Sequence, residues 1–114
     1  MSVVAPFPNP RDRRLIASFD RLELNRILDL YGRMVAAGHW RDYAIRFSPD
    51  AAVFAAFRRS SERPEVRIEK RPELRLKQGA FALVGEHGQV LKRGHDLGLV
   101  LAPLERRLMR LVAE

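Results

Sequence analysis

The segment Trp40-Arg41-Asp42-Tyr43-Ala44-Ile45-Arg46-Phe47-Ser48-Pro49-Asp50 runs on into Ala51-Ala52-Val53-Phe54-Ala55-Ala56-Phe57-Arg58 and holds two kinds of strand in succession. In its first half Tyr43, Ile45 and Phe47 alternate with Ala44, Arg46 and Ser48. A period of two sends one set to each side of a pleated ribbon, so this half predicts a half-buried strand. Ser48-Pro49-Asp50 is turn chemistry, because proline presets φ and short polar side chains bond back to their own backbone. Residues 52–58 are then apolar on both sides until Arg58, as a central strand requires.

Further along the chain the same signals recur. Pro64 and Pro72 bracket Val66-Arg67-Ile68-Glu69, another alternating strand. Residues 81–84 and 89–92 flank Gly85-Glu86-His87-Gly88, a four-residue hairpin loop. Short consecutive strands with turn signals predict an antiparallel meander, since parallel units need crossovers of about a dozen residues or more. The stretch 71–79 reads as a loop with a turn of helix.

Helices are expected on both sides of this meander. Asp20 and Glu23 fit a capping box, with Phe19 placed to staple onto Leu24. Leu24, Ile27, Leu28, Tyr31, Met34 and Val35 recur at helical spacing, and Gly38 sits where a left-handed residue ends such a helix. In the C-terminal helix Asp96 is the N-cap, and Leu97, Val100, Leu101, Leu104, Leu108 and Leu111 form one stripe. Pro103 falls inside it, where a proline costs roughly 3 kcal/mol, so the helix either kinks there or starts near it. One apolar face per layer cannot bury itself. The expectation is an α+β fold in two layers: an N-terminal helix, an antiparallel four- to five-stranded meander and a C-terminal helix.

The chain has 114 residues, 46% of them apolar, and a formal charge of +7. That suits one globular domain, placed at 18–114 behind a Pro/Arg-rich tail at 1–17 that is read as flexible. No charge-free run, 51–57 and 97–104 among them, approaches the ~20 residues that span a bilayer, so no membrane is expected. The first residues make a poor secretory signal, which favours the cytoplasm. With no cysteine there is no disulfide framework, no zinc-finger spacing and no thiol nucleophile.

Taken together, Tyr31-Gly32-Arg33-Met34-Val35-Ala36-Ala37-Gly38, Trp40-Arg41-Asp42-Tyr43-Ala44-Ile45 and Leu91-Lys92-Arg93-Gly94-His95-Asp96-Leu97 resemble a family of short alphaproteobacterial proteins catalogued as a domain of unknown function. Val53-Phe54, Phe57-Arg58-Arg59, Arg67-Ile68-Glu69-Lys70 and Gln78-Gly79-Ala80 share the resemblance, which covers about residues 19–112. It implies provenance and a cytoplasmic setting, and brings no activity, cofactor or catalytic residue. Pro103, and His39 in place of an acidic residue, stand as departures.

Signals for chemistry are sparse. His39, His87 and His95 form no metal-ligand spacing, so no metal and no cofactor is expected. The glycines make no phosphate loop or dinucleotide fingerprint, and no Gly-x-Ser-x-Gly elbow occurs. No catalytic residue is assigned. Trp40 and Tyr43, with His95 beside the N-cap Asp96, are candidates to line a small pocket, against the plainer reading of a packed hinge and a turn.

Charge is uneven in a more informative way. Residues 58–77 hold eight basic and four acidic side chains, a local +4 within the chain's +7. Eighteen of the 21 basic residues are arginine, whose fork matches phosphate bidentately. The expectation is a non-enzymatic binding module in which Arg58, Arg59, Arg67, Lys70, Arg71, Lys92 and Arg93 contact RNA or DNA phosphate. The alternative is a protein-interaction or regulatory adaptor, its helical face or an exposed strand edge taking a peptide or a second copy. An arginine-rich composition with interleaved glutamates is the plain counter-reading of the same stretch.

Overall fold

In the computed structural model, which describes residues 16–59 and 62–113, a helix α1 (Arg21–Ala36) precedes five strands and a closing helix α2 (Leu97–Ala113). The strands are β1 (Asp42–Phe47), β2 (Ala52–Phe57), β3 (Val66–Lys70), β4 (Phe81–Gly85) and β5 (Val90–Gly94). Of the expected tail, residues 1–15 lie outside the described residues. Ala17 is buried, and its N–H donates to the Ser48 carbonyl at 2.9 Å.

Local chemistry sets both ends of α1. The Glu23 N–H donates to Asp20 Oδ1 and the Asp20 N–H to Glu23 Oε1, each at 2.8 Å, which completes the capping box. At the other end Gly38, at φ +79°, donates to the Val35 carbonyl while the His39 N–H reaches the Met34 carbonyl. This is the Schellman arrangement, and it turns the chain into β1. The buried line of α1 is Ile27, Leu30 and Met34. Leu30 therefore belongs to the core stripe, and Val35 does not: one residue beyond Met34 rotates it about 100° towards water.

The sheet order is β1-β2-β3-β4-β5, every neighbouring pair antiparallel. The register places Ile45, Phe54, Ile68 and Leu83 in one row on one face. Both helices pack on that face, and residues from α1, α2, β2, β3 and β4 form a single core, with the partly buried Ile45 of β1 packed against it. Burying a Leu or Phe side chain there stabilises by roughly 1.5–3 kcal/mol. Two-layer α+β architecture is what the sequence pattern predicts, with the meander at five strands.

The connections follow their turn signals. The excursion 71–79 contains one 3-10 turn, Pro72–Leu74, and closes at its base through the Arg71 N–H to the Ala80 carbonyl. Gly79, at φ +103°, lies against the Gly94 backbone so closely that any Cβ would overlap it. The β4–β5 hairpin closes through Gly88 N–H to the Gly85 carbonyl, and its ladder slips between Leu83 and Val84, which leaves Leu91 unpaired. In α2 the Asp96 carboxylate accepts the Leu99 N–H at 3.2 Å, an N-cap bond. The helix runs through Pro103 without interruption. Leu99, four residues earlier, is the carbonyl that Pro103 leaves without a donor, and Leu99 is exposed to water.

Candidate nucleic-acid interface

The pleat sends alternate residues of every strand to the face opposite the helices, and no described helix or strand covers that face. Two rows of side chains cross it. One runs Arg46, Val53, Glu69, Ala82, Arg93 from β1 to β5, and the next runs Ala44, Ala55, Arg67, Val84, Val90. Small side chains at 44, 55 and 82 leave room for long arginines to lie across the sheet. Arg46, Arg67, Val53 and Phe57 line a groove of about 500 Å³ at the β1–β2 side.

Glu69 is the charge at the centre of this surface and is 7% exposed. Its two oxygens accept Arg67 Nε and Arg71 Nε, each at 3.3 Å. A buried carboxylate needs such partners. The pairing occupies only Nε on each guanidinium, so the Nη groups of Arg67 and Arg71 make no side-chain bond among the described residues and remain available as forked donors. Arg93 Nη1 is buried and has no hydrogen-bond partner among the described residues. Arg67 and Arg71 thus bond one glutamate, and Arg46 and Arg93 lie in its row, each two strands away on either side.

Of the seven basic residues expected to act together, the structure brings together Arg67, Arg71 and Arg93. Lys70 points to the helix side, where Nζ bonds Glu23 Oε1 at 2.7 Å and lies 5.9 Å from the Phe81 ring centre. Lys92 pairs with Leu83 and so also belongs to the helix-side register. Arg58 Nε lies 3.4 Å from Glu65, while Arg59 follows β2 and is exposed. Arg46, absent from the expected set, joins the surface. Its signal was the alternation of β1, which already assigned it to the side away from Tyr43 and Ile45.

Trp40, Tyr43 and His95 do not share a pocket. Trp40 is 1% exposed, and Tyr43 stacks on Phe54 with ring centres 5.1 Å apart. His95 follows β5 at the opposite edge, four strand spacings or about 19 Å from β1. The junction at Trp40 instead gathers around Glu65, which sequence reading did not single out. Trp40 Nε1 donates to Glu65 Oε1 at 2.7 Å, and Arg107 Nη2 to Oε2 at 2.8 Å. His39 Nε2 lies 3.5 Å from Oε1 and makes no hydrogen bond among the described residues. Burial, then the Arg107 charge, pull the His39 pKa below 6.5; Glu65 acts in the opposite sense and Arg58 adds to the lowering.

Among the described residues no group of three or more His, Asp or Glu could hold a metal ion, and no helix is long and apolar enough to cross a membrane. The geometry defines a two-layer α+β protein whose second sheet face, covered by no described helix or strand, carries arginines over a buried centre. The profile of the family described as "Protein of unknown function (DUF2794)" matches residues 17–101, well over half of the chain, and the chain belongs to that family. The match opens at Ala17, the residue tied to Ser48, and ends before Pro103. No curated protein and no solved structure matches the chain.

Proposed function

We propose that the open sheet face is a binding surface for nucleic-acid phosphate and that the protein is a non-enzymatic binding module. The carrying observation is the arginine set Arg46, Arg67, Arg71 and Arg93 on one sheet face, where Glu69 takes up only the Nε donors of Arg67 and Arg71. Forked guanidinium groups spaced over a flat surface suit a chain of phosphates. Val53, Phe57 and Val90 between them offer apolar surface to bases without reading base edges, so affinity is expected to depend weakly on sequence. A cytoplasmic setting goes with this reading, since nucleic acid is met there.

The test is fluorescence anisotropy with single-stranded RNA and DNA of about 15 nucleotides. Three or four phosphate contacts predict about a 30-fold loss of affinity between ~50 and ~200 mM salt. Absence of binding at the lower salt removes the proposal.

A second reading, interaction with a protein through the helical layer, has one observation in its favour. Ala36, Leu108, Met109 and Val112 line an apolar groove of about 590 Å³ between the C-terminal ends of the two helices, with Arg33 at its rim.

A further inference from the structure

Among the described residues the sheet has two unpaired edges, and they differ in what they can accept. β5 is interrupted by the slip at Leu91 and carries Lys92 and Arg93 side by side. Paired with its own copy about either of those residues, it would set like charges opposite each other. β1 is regular along its whole pairing with β2 and is exposed, with Tyr43 43% and Phe47 48% accessible. Such an edge is a template for another strand unless something covers it.

Parity identifies the outward groups of β1. Ser48 N–H donates to the Ala51 carbonyl, so the even-numbered residues turn their backbone groups towards β2 and Tyr43, Ile45 and Phe47 turn theirs outward. The Tyr43 N–H agrees, for it donates to the neighbouring Asp42 Oδ1 at 2.8 Å. An antiparallel copy must also keep each face continuous, which restricts pairing to residues of equal parity. Centring the pairing on Ala44 sets Tyr43 opposite Ile45 of the second copy in hydrogen-bonded pairs, using the outward groups, with the Tyr43 N–H exchanging Asp42 Oδ1 for the second copy's Ile45 carbonyl. It also sets Asp42 opposite Arg46 in the closer, non-bonded pairs, once in each direction. Centring it on Tyr43 or Ile45 sets Asp42 or Arg46 opposite Ala44 and leaves both charges without partners.

We infer that β1 is a self-recognition edge, and that two copies of this chain join through it in antiparallel register about Ala44 into a continuous ten-stranded sheet. Neither Asp42 nor Arg46 makes an ion pair with another described residue, and each finds its complement on the second copy. The helices of both copies lie on one side, and the two arginine faces become one surface on the other. The inference does not rest on nucleic-acid binding: it concerns edge backbone and two opposite charges.

The experiment uses the full chain in sedimentation equilibrium at low salt, with five proteins. The wild type is expected to be a concentration-dependent dimer. Arg46→Asp and Asp42→Arg each set like charges opposite and weaken self-association by about tenfold or more. Mixed together, the two variants restore every pairing, so a heterodimer at least as tight as the wild-type dimer forms. The fourth protein, Ala44→Cys, is the chain's sole thiol and is expected to cross-link under mild oxidation, whereas Leu91→Cys on β5 is not. It reads the register even if a charge variant fails to fold. A monomeric wild type at every concentration overturns the inference, including the case where residues 1–15 of the same chain cover the edge. A dimer indifferent to both charge variants, or one with no Ala44→Cys cross-link, overturns it equally.

Discussion

Glu65 holds together four side chains that no local pattern connects. Its carboxylate satisfies the buried Trp40 indole N–H and faces Arg107, Arg58 and His39. Truncating it leaves a buried donor unpaired and three cationic or titratable groups facing one another. Glu65→Ala is therefore expected to lower stability by about 2–3 kcal/mol, read from urea unfolding midpoints. His39 adds a pH term of definite sign. Its pKa is below 6.5 in the fold, so as pH falls from 6.5 the unfolded chain takes up the proton first. Stability then declines until the lowered native value is passed, and levels off. His39→Gln should flatten this part of the acid decline between pH 7.5 and 5, and parallel curves for variant and wild type would refute the assignment. Trp40 was visible in the sequence as a junction residue, but its partner is 25 positions away. Arg107 lies 42 positions from Glu65. Nothing in spacing or composition relates side chains that meet only through tertiary packing.

Elements whose causes are local were readable, because caps and turns act within four residues. Asp20, Glu23, Gly38 and Asp96 occupy the positions their chemistry implies. The expected stripe of α1 missed Leu30 and took in Val35, since both are apolar and only packing shows which is inward. In α2 the sequence allowed either a kink or a restart at Pro103, and the helix continues through it. Leu99 lies on the exposed side of α2, where water can replace the lost bond, which moderates the penalty without abolishing it. Pro103→Ala should accordingly raise the unfolding free energy by about 1–3 kcal/mol, with Leu101 and Leu104 still buried on either side. An unchanged or lowered midpoint in denaturant would mean that Pro103 serves a contact on its own account.

For the molecule as a whole, charge per length of chain proved different from charge per area of surface. The basic stretch 58–77 looked like one patch, yet the pleat sends Arg67 and Lys70 to opposite sides of β3. Lys92 and Arg93 are divided in the same way, and they offer the sharpest comparison. Arg93→Glu should weaken nucleic-acid binding about tenfold and reduce its salt dependence, whereas Lys92→Glu should change affinity by less than about twofold. Equal effects would indicate attraction to net charge alone, without a defined face. Strand alternation contained this division in principle. What it lacked was the register that lines up Arg46 and Arg93 across three intervening strands.

The strictly consecutive strand order also governs how the polypeptide acquires its shape. Each strand pairs with the one synthesised just before it, so no ladder waits for a distant segment and every closure spans a short interval. During translation the sheet can grow rung by rung from its amino-terminal side, with α1 already available to shield Phe54 as it emerges. The helix α2 arrives last and leans on β4 and β5, the newest rungs. A truncation before Leu97 would leave that half of the sheet with its apolar side bare, and a nascent chain halted there is the form most exposed to aggregation.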